Sequence, residues 1–215
     1  MNTRTSLRRA ATGSLVALAL GLSVACGSDS SDSAEDTSGA SPAPVTRTYV
    51  GSAQGTASLV AVVVDGTRVL AYICDGMPGD PVGTPPTIQT WFNATSDGKT
   101  VNVSQPGGQL QLRLTGTDMT GTVSNADGRP LAVIGRAVTG DAGLYRAEAA
   151  GSGGKAVAGW ILASDGQQRG GVGGDGTFSK ASGTKALILT QPTFSLQGLA
   201  TARIAKVGIT PIPIP

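Results

Sequence analysis

The sequence predicts an all-β protein, an antiparallel meander forming a barrel or a strongly curved two-layer sandwich. Three observations predict it. Glycine supplies 32 of 215 residues, a load that disfavours a helical bundle. Six Asp-Gly pairs punctuate the chain between β-prone runs, and Asp-Gly suits hairpin turns that need positive φ. The apolar pattern has a period of two, or is continuous over lengths suited to strands.

The elements follow in order from Arg47–Ala53. Ala57–Val64 reads ASLVAVVV, continuous as for a strand covered on both faces. Asp65-Gly66 separates it from Arg68–Cys74, and Asp75-Gly76 follows. Further strands are expected at Thr87–Phe92, around Val101 and Val103, and at Gln109–Thr115. In the last, Leu110, Leu112 and Leu114 face opposite to Gln109, Gln111 and Arg113, the mark of a strand with one wet face. Met119–Ser124, Leu131–Thr139, Ala156–Ala163, Ala186–Thr190 and Ser195–Val207 complete the series. Some ten or eleven strands are in the range of a sandwich or a closed up-and-down barrel, and closure removes exposed edges. The segment 141–150 (DAGLYRAEAA) fits one short helix as well as another strand.

Residues 1–25 read as a lipoprotein signal peptide. Arg4, Arg8 and Arg9 precede an apolar stretch from Leu15 to Val24, too short to span a bilayer. Ser23-Val24-Ala25-Cys26-Gly27 then resembles a bacterial lipobox, with Cys26 as the lipid-attachment residue. Ser23 departs from the Leu, Val or Ile usual there. Arg8-Arg9 lead into Ala10-Ala11-Thr12, a poor fit to twin-arginine export, which leaves general secretion. Residues 26–44 carry Asp29, Asp32, Glu35 and Asp36 with no base and no large apolar residue to build a core; they read as a disordered acidic Ser/Thr-rich tether, open to O-glycosylation. Residues 45–208 form the β domain. The tail 209–215 (ITPIPIP) reads as extended polyproline II.

The chain resembles secreted lipoproteins of actinobacteria, on this lipobox, the acidic tether and the phrases Ala71-Tyr72-Ile73-Cys74-Asp75-Gly76 and Ala142-Gly143-Leu144-Tyr145-Arg146. The resemblance implies a lipid-anchored protein on the outer face of the cell membrane and brings no catalytic residues.

Several chemistries find no residues. With no histidine there is no Ser-His-Asp triad, Cys-His pair or HExxH zinc site. Residues 45–215 hold thirteen bases and ten acids, unclustered along the sequence, so no basic stripe for nucleic acid is expected. Gly171–Gly176 matches GxGxxG in spelling but reads as part of a long glycine-rich polar loop, without a helix behind it. Gly151–Ala156 fails the Walker A pattern at Ala149 and Ala156. Asp75 and Asp80 flank a tight loop but lack the oxygen count for calcium. Ser152 with Lys155 and Ser179 with Lys180 read as loop residues. Cys74 reads as a buried free thiol, with a Cys26–Cys74 disulfide as the alternative if Cys26 is not acylated.

The expectation is therefore a non-catalytic domain with no cofactor and no metal, binding an apolar or amphiphilic envelope ligand such as a lipid or glycolipid. A structural or protein-interaction subunit of the envelope is the alternative. Tyr72, Trp91, Phe92 and Trp160 either fill a core or line a ligand cavity. A filled barrel favours interaction, and an empty apolar one favours a carrier.

Overall fold

The computed structural model describes residues 45–78, 80, 85–125, 127–151, 154–174, 186–195 and 201–208. These lie in one compact unit, Pro42–Pro215. The expected signal peptide, tether and tail fall outside the described residues.

Eight strands form the first sheet: β1 (Thr46–Ala53), β2 (Leu59–Asp65), β3 (Arg68–Cys74), β4 (Gln89–Thr95), β5 (Thr100–Gln105), β6 (Gly108–Leu114), β7 (Asp118–Asn125) and β8 (Pro130–Val138). Their order is β4-β3-β2-β1-β8-β7-β6-β5, with every pair antiparallel. The ends of that row, β4 and β5, are joined by a turn, so the sheet curls into a nearly closed barrel. Its seam is bridged by the Ser96–Val101 backbone pair. Farther along, the Gln105 amide donates to the Trp91 carbonyl and Thr90 Oγ1 donates to the Gly107 carbonyl.

The barrel interior is a core. Seventeen buried apolar residues form one contiguous cluster, and each of the eight strands contributes at least one. Leu110, Leu112 and Leu114 point inward, as their alternation predicts. At one end Tyr49 Oη donates to the Thr115 carbonyl at 2.8 Å, which satisfies the one polar atom of a ring buried among hydrocarbons.

A second sheet contains β9 (Gly143–Gly151), β10 (Gly154–Leu162), β11 (Gln168–Gly174) and the two-residue β14 (Ala205–Lys206), in the order β11-β10-β9-β14. It covers the outside of β1–β3. Leu144 and Ile161 pack there with Val50, Ala61, Val63 and Cys74. This second layer is why β2 is apolar at nearly every position. Beyond it, Leu187 and Ile204 cover the far face of the second sheet, over Ala147, Ala158 and Trp160. A small pairing of β12 (Thr193–Phe194) with β13 (Ala202–Arg203) lies in the C-terminal part.

One open alternative is settled and three readings are corrected. Residues 141–150 contain a strand and no helix: β9 gains a full antiparallel ladder with β10, and that pairing outweighs the helix propensity of its alanines. The glycine-rich stretch read as a loop is β11, where small residues allow close approach to the layer beneath. Ala186–Thr190 forms no strand, and the described part of Ser195–Val207 pairs only in two short pieces. Asp75-Gly76 opens the long connection between β3 and β4 instead of a tight two-residue turn. The Asp75 carboxylate there accepts the Ile88 amide at 3.0 Å. By contrast Gly66, with φ 60°, turns β2 into β3 as its Asp-Gly pair predicts.

Candidate functional site

The chemistry-bearing side chains converge between the barrel and the second sheet. On β3, Ala71 and Ile73 face the barrel core, so Tyr72 and Cys74 face outward under the second sheet. Trp91 is the register partner of Tyr72 on β4. Neighbouring strands put partners on one face, and the two rings stack with centroids 4.2 Å apart and planes 28° apart.

From above, Arg146 on β9, Gly159 on β10 and Gly171 on β11 form one register row. The Arg146 guanidinium lies 4.9 Å from the Trp91 ring centroid, a cation–π distance. Its Nε and a terminal nitrogen both donate to Glu148 Oε1, at 2.9 and 2.5 Å. The Arg146 side chain is 1% exposed and that of Glu148 is 44% exposed, so the pair runs from the interlayer to the surface. Gly159 makes room for this stack. A Cβ there would lie 2.6 Å from Trp91 Cζ2 and 2.8 Å from Tyr72 Cε1.

The electrostatics leave the cluster unreactive near neutral pH. Burial, and secondarily the neighbouring Cys74, pushes the Tyr72 phenol well above its ordinary value. Burial likewise pushes the Cys74 thiol up to about 11. A thiol needs to ionise to act as a nucleophile. The Tyr72 hydroxyl has Cys74, Gln89 and the Gly171 backbone as polar neighbours but closes no hydrogen bond of ordinary geometry with them. The cluster can stack, pair charge and fix the two layers; it offers neutral Tyr72 and Cys74 and a compensated arginine.

The sequence-predicted positions are placed as follows. Cys74 is a buried free thiol at the end of β3. Cys26, Ser152, Ser179 and Lys180 lie outside the described residues, as do Asp175 and Gly176 of the GxGxxG spelling, whose Gly171–Gly174 belong to a strand. Asp80 accepts the Met77 amide at 2.9 Å while Asp75 caps Ile88, so both carboxylates serve their loop. Among the described residues no three potential ligands are grouped to hold a metal. Phe92 fills the barrel core, Tyr72 and Trp91 fill the interlayer, and Trp160 faces the far side of the second sheet.

Arg146, Glu148 and Gly159 were not singled out from the sequence. Their signal was the i, i+2 spacing of Arg146 and Glu148, which means a shared face only if the segment is a strand. No protein-family model, no curated protein and no solved structure matches the chain.

Proposed function

We propose that this is a non-catalytic, lipid-anchored module of the outer face of the cell membrane, attached through Cys26, which binds amphiphilic envelope molecules on its surface instead of enclosing them. The filled barrel carries the choice of surface over interior. A carrier of the enclosed kind needs an apolar cavity, and here side chains from all eight strands occupy the interior. The unreactive state of Tyr72 and Cys74 supports a role without catalysis. The signal-like N-terminus and acidic tether support the anchor.

The second reading is a protein-interaction subunit, and the seam favours it. Between β4 and β5 an open cleft is lined by Asn93, Thr95 and Asn102, and loosely paired strand edges accept extended peptides.

Cys26→Ser in the producing cell tests the anchor. The variant should leave the membrane fraction for the medium, and the mature wild type should carry acyl mass on its first residue. A variant that stays membrane-bound, with no acyl mass on the wild type, would remove the anchor from the account.

A further inference from the structure

We infer that the barrel end at which β1 begins is a docking surface for the phosphate headgroups of anionic phospholipids. The inference rests on the membrane-anchored reading above and names the amphiphile that the surface takes.

Charge is unevenly distributed along the barrel. The start of β1 and the turns β2–β3, β4–β5 and β6–β7 meet at one end, with the end of β8. That end carries Arg47, Arg68, Lys99, Arg113 and Arg136, with Lys206 at the β8–β9 connection, against Asp65, Asp97, Asp118 and Asp141. The barrel's own turns and loops at the opposite end carry Asp75, Asp80 and Asp127 against Arg129, and Arg169 of β11 reaches the Ala57 carbonyl there. The meander thus sorts charges that are unclustered in sequence into a cationic end and an anionic end.

Within the cationic end, three residues stand out. Arg47, Lys99 and Arg113 line an open pocket of about 420 Å³ together with Asp97. None of the three makes an ion pair among the described residues. Arg68 and Arg136 do, with Asp65 at 2.6 Å and Asp118 at 3.8 Å. Asp97 is committed to its own turn. One carboxylate oxygen accepts the Lys99 amide, the Thr100 amide and Thr100 Oγ1 at 2.8, 2.7 and 3.1 Å. Three cations around one engaged carboxylate leave an unmet positive charge, and a phosphate monoanion or diester fits that charge.

The chain's path supplies the second argument. Residues 26–44 enter β1 at this same end, so an anchor at Cys26 tethers the cationic end and not the anionic one. Residues 37–46 just before Arg47 carry no charge, which leaves the three cations without compensation from their sequence neighbours. Residues 26–44 span at most on the order of 60 Å when fully extended; docking of the cationic end adds a fixed orientation.

The test uses the mature chain from residue 26 with Cys26→Ser, which retains every strand and has no acyl group. Its sedimentation with vesicles of phosphatidylglycerol plus phosphatidylcholine is compared with phosphatidylcholine vesicles alone. Binding only to the phosphatidylglycerol vesicles is expected. It should fall about a hundredfold in the triple variant Arg47→Gln, Lys99→Gln, Arg113→Gln, since each basic residue near an anionic surface contributes about fivefold. Arg129→Gln, at the other end, should change little. Equal binding to both vesicle types, no binding, or an equal loss from Arg129→Gln would overturn the inference. So would release by inorganic phosphate at matched ionic strength, which would mark a small-anion pocket. Because the probe lacks the acyl group, failure here leaves the anchor reading standing, and failure of the Cys26→Ser fractionation leaves this one standing.

Discussion

Cys74 and Tyr72 alternate with Ala71 and Ile73, and that alternation places a thiol and a phenol in a layer from which water is excluded. Burial favours their neutral forms. The stability consequence has a definite sign. The thiol's ordinary value is 9.0 and its value in the folded protein is about 11, so above pH 9 the unfolded chain loses a proton that the folded chain keeps. The contribution is complete below pH 9 and is lost as pH rises towards 11. A two-unit gap corresponds to on the order of 2–3 kcal/mol, and Tyr72, shifted in the same direction, extends the loss to higher pH. Urea titrations should show stability falling from pH 9 upward, with a shallower fall in Cys74→Ala. A flat profile across that window, or identical slopes in the two proteins, would contradict the buried-thiol assignment. The location of Cys74 in a strand was legible because a small hydrophobe sat in an apolar run. Its stacked neighbours were not, because Trp91 meets Tyr72 only through strand pairing.

At the scale of elements, legibility followed the number of faces a strand buries. β6 has one wet face, and its strict alternation identified it. β2 has none, and its unbroken apolar run identified it equally well. β9 and β11 were harder. β9 mixes alanines with Arg146 and Glu148, and its local pattern suits two conformations until β10 pairs with it. β11 is mostly glycine between Gly170 and Gly174, a composition that looks like a loop until the barrel beneath it is known. The row Arg146–Gly159–Gly171 explains one of those glycines: a side chain at Gly171 would collide with Gln89 and Pro86, as one at Gly159 on β10 would with Trp91 and Tyr72. Gly159→Ala should therefore destabilise by about 1–3 kcal/mol, the usual cost of overpacking, as measured by urea unfolding. Gly116→Ala, where an added Cβ meets nothing within 4 Å, should fall within about 0.5 kcal/mol of wild type. Equal stability of both variants would mean that the Tyr72–Trp91 stack does not press on β10.

At the scale of the molecule, the all-β barrel followed from composition and turn spacing, and the second sheet laid on its outside did not. Its existence depends on long-range pairing that leaves only an indirect trace, the double-sided burial of β2. That sheet also determines where the scarce aromatics go. Phe92 enters the barrel core, while Tyr72, Trp91 and Trp160 are drawn to the two faces of the added layer. The barrel interior is thereby left to aliphatic side chains and a few rings, with contributions from every strand. This interior is a packed core, and the proposed ligand contact is made outside it. Native mass spectrometry of the protein exported from its producing cell as Cys26→Ser tests this most directly. The bare polypeptide mass is expected, because amphiphiles held at the surface exchange away during purification. A reproducible stoichiometric extra mass, released only on denaturation and identified as a lipid or glycolipid, would contradict it and place the ligand inside the fold.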